Sequence, residues 1–183
     1  MHRNYPLLAT SISFEQAILH WIDHEPNLNH NKATDGGYEG WVQLALRSYF
    51  EELAAPGTVI EREQHIYLNG NQKVDLLLKA NDGSRTGIEL KCRTKGETRQ
   101  NFQRRVLQDI EKVWGGAKQE YRPIKNYVMA LTDSPGDLDQ WDGIMGDWPA
   151  TPTHFLKAHG LNKWFVAIWA VDITPTGEKV VFR

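Results

Sequence analysis

The chain has a single cysteine, Cys92, so it cannot close an internal disulfide and must fold without a covalent staple. That fits a reducing compartment. Long hydrophobic runs are also missing. No stretch approaches the twenty apolar residues of a bilayer-spanning helix, and the opening Met-His-Arg-Asn-Tyr-Pro-Leu-Leu-Ala-Thr is too short of apolar residues for a secretory leader. The expected location is the cytoplasm, with no membrane partner. No charge sign dominates: 21 Lys and Arg against 23 Asp and Glu leave a net charge of −2, which argues against a surface that coats nucleic acid indiscriminately. Internal repeats and low-complexity segments are absent. His20 and His24 stand four apart, but no Glu follows in the metalloprotease pattern and no third ligand is evident; they read as surface or partly buried histidines. Asp133, Asp137, Asp139, Asp142 and Asp147 lack the calcium-loop pattern ending in Glu, and read as a solvated or helix-capping segment.

What remains is a chain of 183 residues, suited to a single domain, 1–183, that buries about 70% of its unfolded surface. The patterning predicts a helix over 12–23, capped by Ser11 or Ser13, with Ile12, Ala17, Ile18, Trp21 and Ile22 as its apolar stripe. Residues 25–37, rich in Asn, Asp and Gly, read as a loop. A second helix is expected over 38–54, with Trp41, Leu44, Ala45, Ser48 and Tyr49 on one side and Leu46, Phe50 and Leu53 widening the buried arc. Ala55-Pro56-Gly57 stops it. Strands follow over 58–68, 72–80 and 86–94, joined by a hairpin turn at Asn69-Gly70 and a turn at Asn81-Asp82-Gly83-Ser84. Residues 97–114 carry Phe102, Val106, Ile110 and Val113 at helical spacing, and Gly115-Gly116 ends that helix. The apolar runs 127–131 and 164–173 suit buried strands, with a short helix near 136–146 between them and a last edge strand at 180–182. The order implies a mixed α/β layer fold.

The most informative pattern is Val-Asp-Leu-Leu-Leu-Lys followed by Gly-Ile-Glu-Leu-Lys-Cys-Arg: Asp75, thirteen intervening residues, then Glu89-x-Lys91. Strand residues alternate faces, so Glu89, Lys91 and Arg93 share one face while Ile88, Leu90 and Cys92 share the other. Burying the second trio presents the first to a cleft. Mg²⁺ or Mn²⁺ prefers oxygen ligands and takes few protein carboxylates; Asp75 and Glu89 can supply two, and the Leu90 carbonyl a third. The ammonium of Lys91 would then stand beside the metal.

A helix, a meander carrying Asp75 and Glu89-x-Lys91, then a helix and a further strand resemble the PD-(D/E)XK nuclease superfamily, over about residues 38–132. The Pro that customarily precedes the Asp is Val74 here. The resemblance implies a restriction-endonuclease-like mixed sheet flanked by helices, and Mg²⁺-dependent phosphodiester hydrolysis by in-line attack, with DNA as the expected substrate. It implies that an acid on the preceding helix assists the metal site; Glu39 is the best placed, with Glu51, Glu52 and Glu63 as rivals. Phosphate contacts would fall to Arg93, Lys95, Arg99, Arg104 and Arg105, a basic run opposed only by Glu97. The Gln-x-x-x-Tyr of the exonuclease and helicase-linked relatives is absent. Cutting both strands with so small a domain implies a homodimer. Against these readings stand an ordinary sheet face with cross-strand ion pairs, a solvated helix for 91–105, and a catalytically idle relative that binds nucleic acid or a protein partner. Trp114 is read mainly as packing.

Overall fold

The computed structural model describes residues 12–32, 38–138, 154–157 (as backbone) and 163–181. Helices α1 (Phe14–His24), α2 (Leu28–Lys32) and α3 (Tyr38–Leu53) lead into a meander of β1 (Val59–Gln64), β2 (Val74–Lys79) and β3 (Arg85–Cys92). Helix α4 (Arg99–Gly115) crosses to β4 (Ile124–Thr132), and β5 (His154–Lys157), β6 (Phe165–Ile173) and β7 (Lys179–Val181) follow. The seven strands form one mixed sheet in the order β1-β2-β3-β4-β6-β5, with β7 also paired to β6. Only β3 and β4 run parallel among these pairs. A parallel neighbour cannot be reached through a tight turn, and α4 makes the crossover.

The sheet is covered on both faces. Leu76, Leu78, Ile88, Leu90, Cys92, Tyr127, Met129 and Leu131 meet the apolar faces of α1 and α3. Leu77, Val128, Ala130 and Trp169 meet Phe102, Val106, Ile110 and Val113 of α4. Period-two alternation thus feeds two separate cores, and Cys92 is a fully buried member of the first. Helix α1 starts at a capping box, in which the Ser13 hydroxyl accepts from the Gln16 N–H while the Gln16 side chain accepts from the Ser13 N–H. Helix α4 starts where the Thr98 hydroxyl accepts from the Asn101 N–H, and it ends at Gly116, whose φ of 101° is open to glycine. Among the described residues no helix is long and apolar enough to cross a membrane.

Five expectations need correction. Asn69-Gly70 does turn the chain, with the Gln72 N–H bonded to the Asn69 carbonyl, but it does not close a two-residue hairpin. Strand β1 stops at Gln64 because Ile66 and Tyr67 turn into the α4-side core and bond to residues 116–118 instead. On α3 the fully buried stripe is Val42, Leu46 and Phe50, whereas Leu44 is 49% exposed and Ser48 is exposed. Trp41, Ala45, Tyr49 and Leu53 line its margin. Two neighbouring stripes of similar hydrophobicity compete there, and the sheet selects the more aliphatic one. The loop over 25–37 contains α2, anchored by the fully buried Leu28. The short helix near 136–146 is a single tight turn, Pro135–Asp137, as far as residue 138; its remainder lies outside the described residues. The edge strand at 180–182 is β7.

Candidate metal centre

The ladder between β2 and β3 runs from Lys79↔Arg85 to Leu76↔Ile88. One step further, Asp75 and Glu89 stand across from each other, and the Leu90 N–H donates to Asp75 Oδ2 at 2.7 Å. On the other side of Asp75, β1 pairs at Arg62↔Leu76 and at Gln64↔Val74, and between them Glu63 takes φ 56°. That left-handed backbone costs a non-glycine residue about 1 kcal/mol. Asp75 therefore sits where the sheet is interrupted on both sides, with its side chain directed by a backbone amide.

A third carboxylate joins them from α4. One oxygen each of Asp75, Glu89 and Asp109 lie within 4.8 Å of one another, and all three residues are buried. Two lysines interleave. The Lys112 ammonium lies 2.6 Å from Glu89 Oε2, 3.0 Å from Asp109 Oδ1 and 3.1 Å from the Lys73 carbonyl. The Lys91 ammonium lies 2.9 Å from Glu39 Oε1, 3.1 Å from the Leu90 carbonyl and 3.0 Å from Asp109 Oδ2. This last approach is an ion pair without hydrogen-bond geometry, so Asp109 Oδ2 accepts no hydrogen bond. The buried Tyr67 hydroxyl donates to Glu89 Oε1, a contact that exists because the chain leaves the sheet after Gln64.

The electrostatics follow from burying three acids together. Burial pushes the Asp75 carboxyl up to about 6, against the pull of Lys91, the Leu90 amide and Lys112. Burial, then the neighbouring Asp75 and Asp109, hold the Glu89 carboxyl well above the usual carboxylate range. Burial disfavours both ammonium groups, but Asp109 and Glu39 outweigh it at Lys91, and Glu89 and Asp109 outweigh it at Lys112. Both amines stay charged.

The residues expected from the sequence are distributed unevenly around this centre. Asp75, Glu89 and Lys91 come together, as does the Leu90 carbonyl. Glu39 reaches the rim and not the carboxylate trio: it accepts from Lys91, from the Cys92 N–H at 3.2 Å and from Arg105. Its rival Glu51 pairs with Arg47, about 18 Å further along α3. Of the basic run, Arg105 is committed to Glu39 and Glu97. Arg93 is committed to Asp137 and to the Glu97 carbonyl. Lys95 and Arg104 are exposed and Arg99 is half-buried.

Asp137 is not solvated: it is 3% exposed and holds both Arg93 and the Thr132 hydroxyl. Asp139, Asp142 and Asp147 lie outside the described residues. His20 and His24 are exposed, stacked on each other at 4.2 Å, and the His20 ring bonds Tyr49. The Lys179 ammonium lies 5.4 Å over the Trp114 ring. Asp109, Lys112 and Tyr67 were missed from the sequence. Asp109 did carry a signal: at three residues from Val106 and four from Val113, it occupies a core-facing position of α4. A charge on the apolar stripe of a helix needs a partner. Compared with known proteins, the chain matches no family model, no curated protein and no solved structure.

Proposed function

We propose that the protein is a metal-dependent nuclease of the PD-(D/E)XK type, with a restriction-endonuclease-like sheet and Asp75, Glu89 and Asp109 as the metal-holding carboxylates. The observation that carries this reading is the convergence of three buried carboxylates beside the Lys91 ammonium, at an interruption of the sheet. The donor set fits Mg²⁺ or Mn²⁺: all oxygen, from carboxylates and the Leu90 carbonyl, with Asp109 Oδ2 accepting no hydrogen bond. Charge fits as well. The three carboxylates outnumber the two ammonium groups set between them, so the centre attracts a cation.

When bound, the metal would lower the pKa of a water and offset charge on the phosphoryl oxygens. The chain does the rest. The Leu90 amide fixes Asp75 and the Tyr67 hydroxyl fixes Glu89. Lys91 presents a permanent positive charge toward the attacking water or the departing charge. Glu39 holds Lys91 and Arg105 at the rim, a positioning role. Exposed Lys95 and Arg104, near the start of α4, are the groups left to meet a polynucleotide backbone.

The test is cleavage of plasmid and single-stranded DNA with Mg²⁺ or Mn²⁺ by the wild type, Asp75→Ala and Lys91→Ala. Mg²⁺-dependent cutting lost in both variants is expected; cutting that survives both refutes the assignment. A second reading, an idle nuclease-fold binder, is favoured by one observation: Lys91 already covers the Leu90 carbonyl. Absence of cleavage with retained polynucleotide binding would select it.

A further inference from the structure

The Lys112 ammonium has three N–H donors and three acceptors: a carboxylate oxygen from each of Glu89 and Asp109, and the Lys73 carbonyl. Two of these belong to the same carboxylates that converge with Asp75. An ammonium sits 2.6–3.0 Å from its oxygens here, and a small divalent cation would sit at about 2.0–2.1 Å from them. The two cannot share the space between Glu89 and Asp109. Lys91 is differently held: it touches the trio only at Asp109 Oδ2, while Glu39, outside the trio, and the Leu90 carbonyl retain it.

We propose that Lys112 is an exchangeable counter-cation, occupying the space between Glu89 and Asp109 while the centre is free of metal and yielding it when a divalent ion binds. The inference rests on the metal-centre reading above. It explains why a glutamate that is 0% exposed is tolerated. An unpaired buried charge is costly, and Lys112 supplies the missing positive charge until a metal does. The side chain has somewhere to go. It is 12% exposed, so it borders solvent and can swing outward. Exchange rather than simple addition also limits the repulsion that a divalent ion would meet from an ammonium fixed beside it.

Mn²⁺ titration calorimetry of the full chain tests this. Lys112→Met is expected to bind Mn²⁺ about tenfold more tightly than wild type, to melt lower in EDTA, and to recover on adding Mn²⁺. Equal or weaker binding by Lys112→Met overturns the exchange. The wild type provides a second measurement that needs no variant: acetylation of lysines mapped by mass spectrometry. Labelling of Lys112 is expected to rise when Mn²⁺ is added while that of Lys91 does not, and an unchanged or reduced Lys112 signal overturns the proposal. If neither wild type nor Lys112→Met binds Mn²⁺, the metal-centre reading fails with it. Mn²⁺ binding without exchange refutes only the role of Lys112.

Discussion

Asp75→Asn should make the metal-free protein more stable at neutral pH. The carboxyl rises from its ordinary 3.8 to about 6 on folding, so the folded state holds the Asp75 proton more tightly than the unfolded chain does. Its contribution is fully present below pH 3.8 and is lost as pH climbs through 6. At pH 7.5 the ionised group has therefore withdrawn about 3 kcal/mol. Asparagine carries no charge and keeps a side-chain oxygen for the Leu90 amide, which now bonds Asp75 Oδ2 at 2.7 Å. Some gain is offset, because the Asn amide hydrogens face Lys91 and Lys112 without the attraction a carboxylate provides. A net of about 1–3 kcal/mol remains, or about 2–12 °C in Tm for a chain of this size. The assay is thermal unfolding by circular dichroism in EDTA from pH 4 to 8. The difference between variant and wild type should be near zero at pH 4 and grow through pH 6. A variant less stable than wild type at pH 7.5, or a difference that does not change with pH, refutes the account of a carboxylate held at a desolvated, acid-rich position. With Mn²⁺ present the order should reverse, since only the wild type retains all three carboxylates.

Mn²⁺ affinity in the wild type should weaken as pH falls through about 6, because a proton then competes for Asp75; calorimetry between pH 5 and 8 reads this, and a flat profile counts against Asp75 as a ligand. Leu46→Ala, at a fully buried position, should cost about 2–5 kcal/mol in urea unfolding. Leu44→Ala, at a position 49% exposed, should stay within about 0.5 kcal/mol; similar losses would show that the opposite face of α3 meets the sheet. Asp137→Ala strands the part-buried Arg93 and the Thr132 hydroxyl, and should cost about 2–4 kcal/mol. A neutral result by the same measurement would mean that this clamp does not hold the end of β4.

The parts of the centre that were legible in the sequence are those set by local pairing. Asp75 and Glu89 lie on antiparallel neighbours joined by a short turn, so register alone brings them together. Lys91 follows from period two. Asp109 and Lys112 arrive through the docking of α4, a tertiary event that neither spacing nor propensity fixes. The misplaced charge on the α4 stripe was visible, but its partners were not. Tyr67 was hidden for a related reason: Asn69-Gly70 favoured a short hairpin, while the burial of Ile66 and Tyr67 outweighed that preference and pulled the chain away from β2. Glu39 was singled out on its helix and lies at the rim, where its oxygens are taken by Lys91, Arg105 and the Cys92 amide. Arg93 and Arg105 belong to the expected phosphate contacts, and the acids folded against them, Asp137, Glu39 and Glu97, are what the sequence does not show.

The left-handed backbone at Glu63 has a consequence beyond the centre it borders. Among the described residues β1 pairs only with β2, so its outer side is an open row of amides and carbonyls. A flat edge of that kind would template strands of other molecules and seed aggregates. With φ at 56°, Glu63 breaks the flat outline one residue before the strand ends, and Glu61 adds a second acidic side chain two residues earlier. The same residue that interrupts the sheet beside Asp75 thereby keeps this edge from being extended by a second chain, so colloidal behaviour and site geometry are tied to one backbone angle.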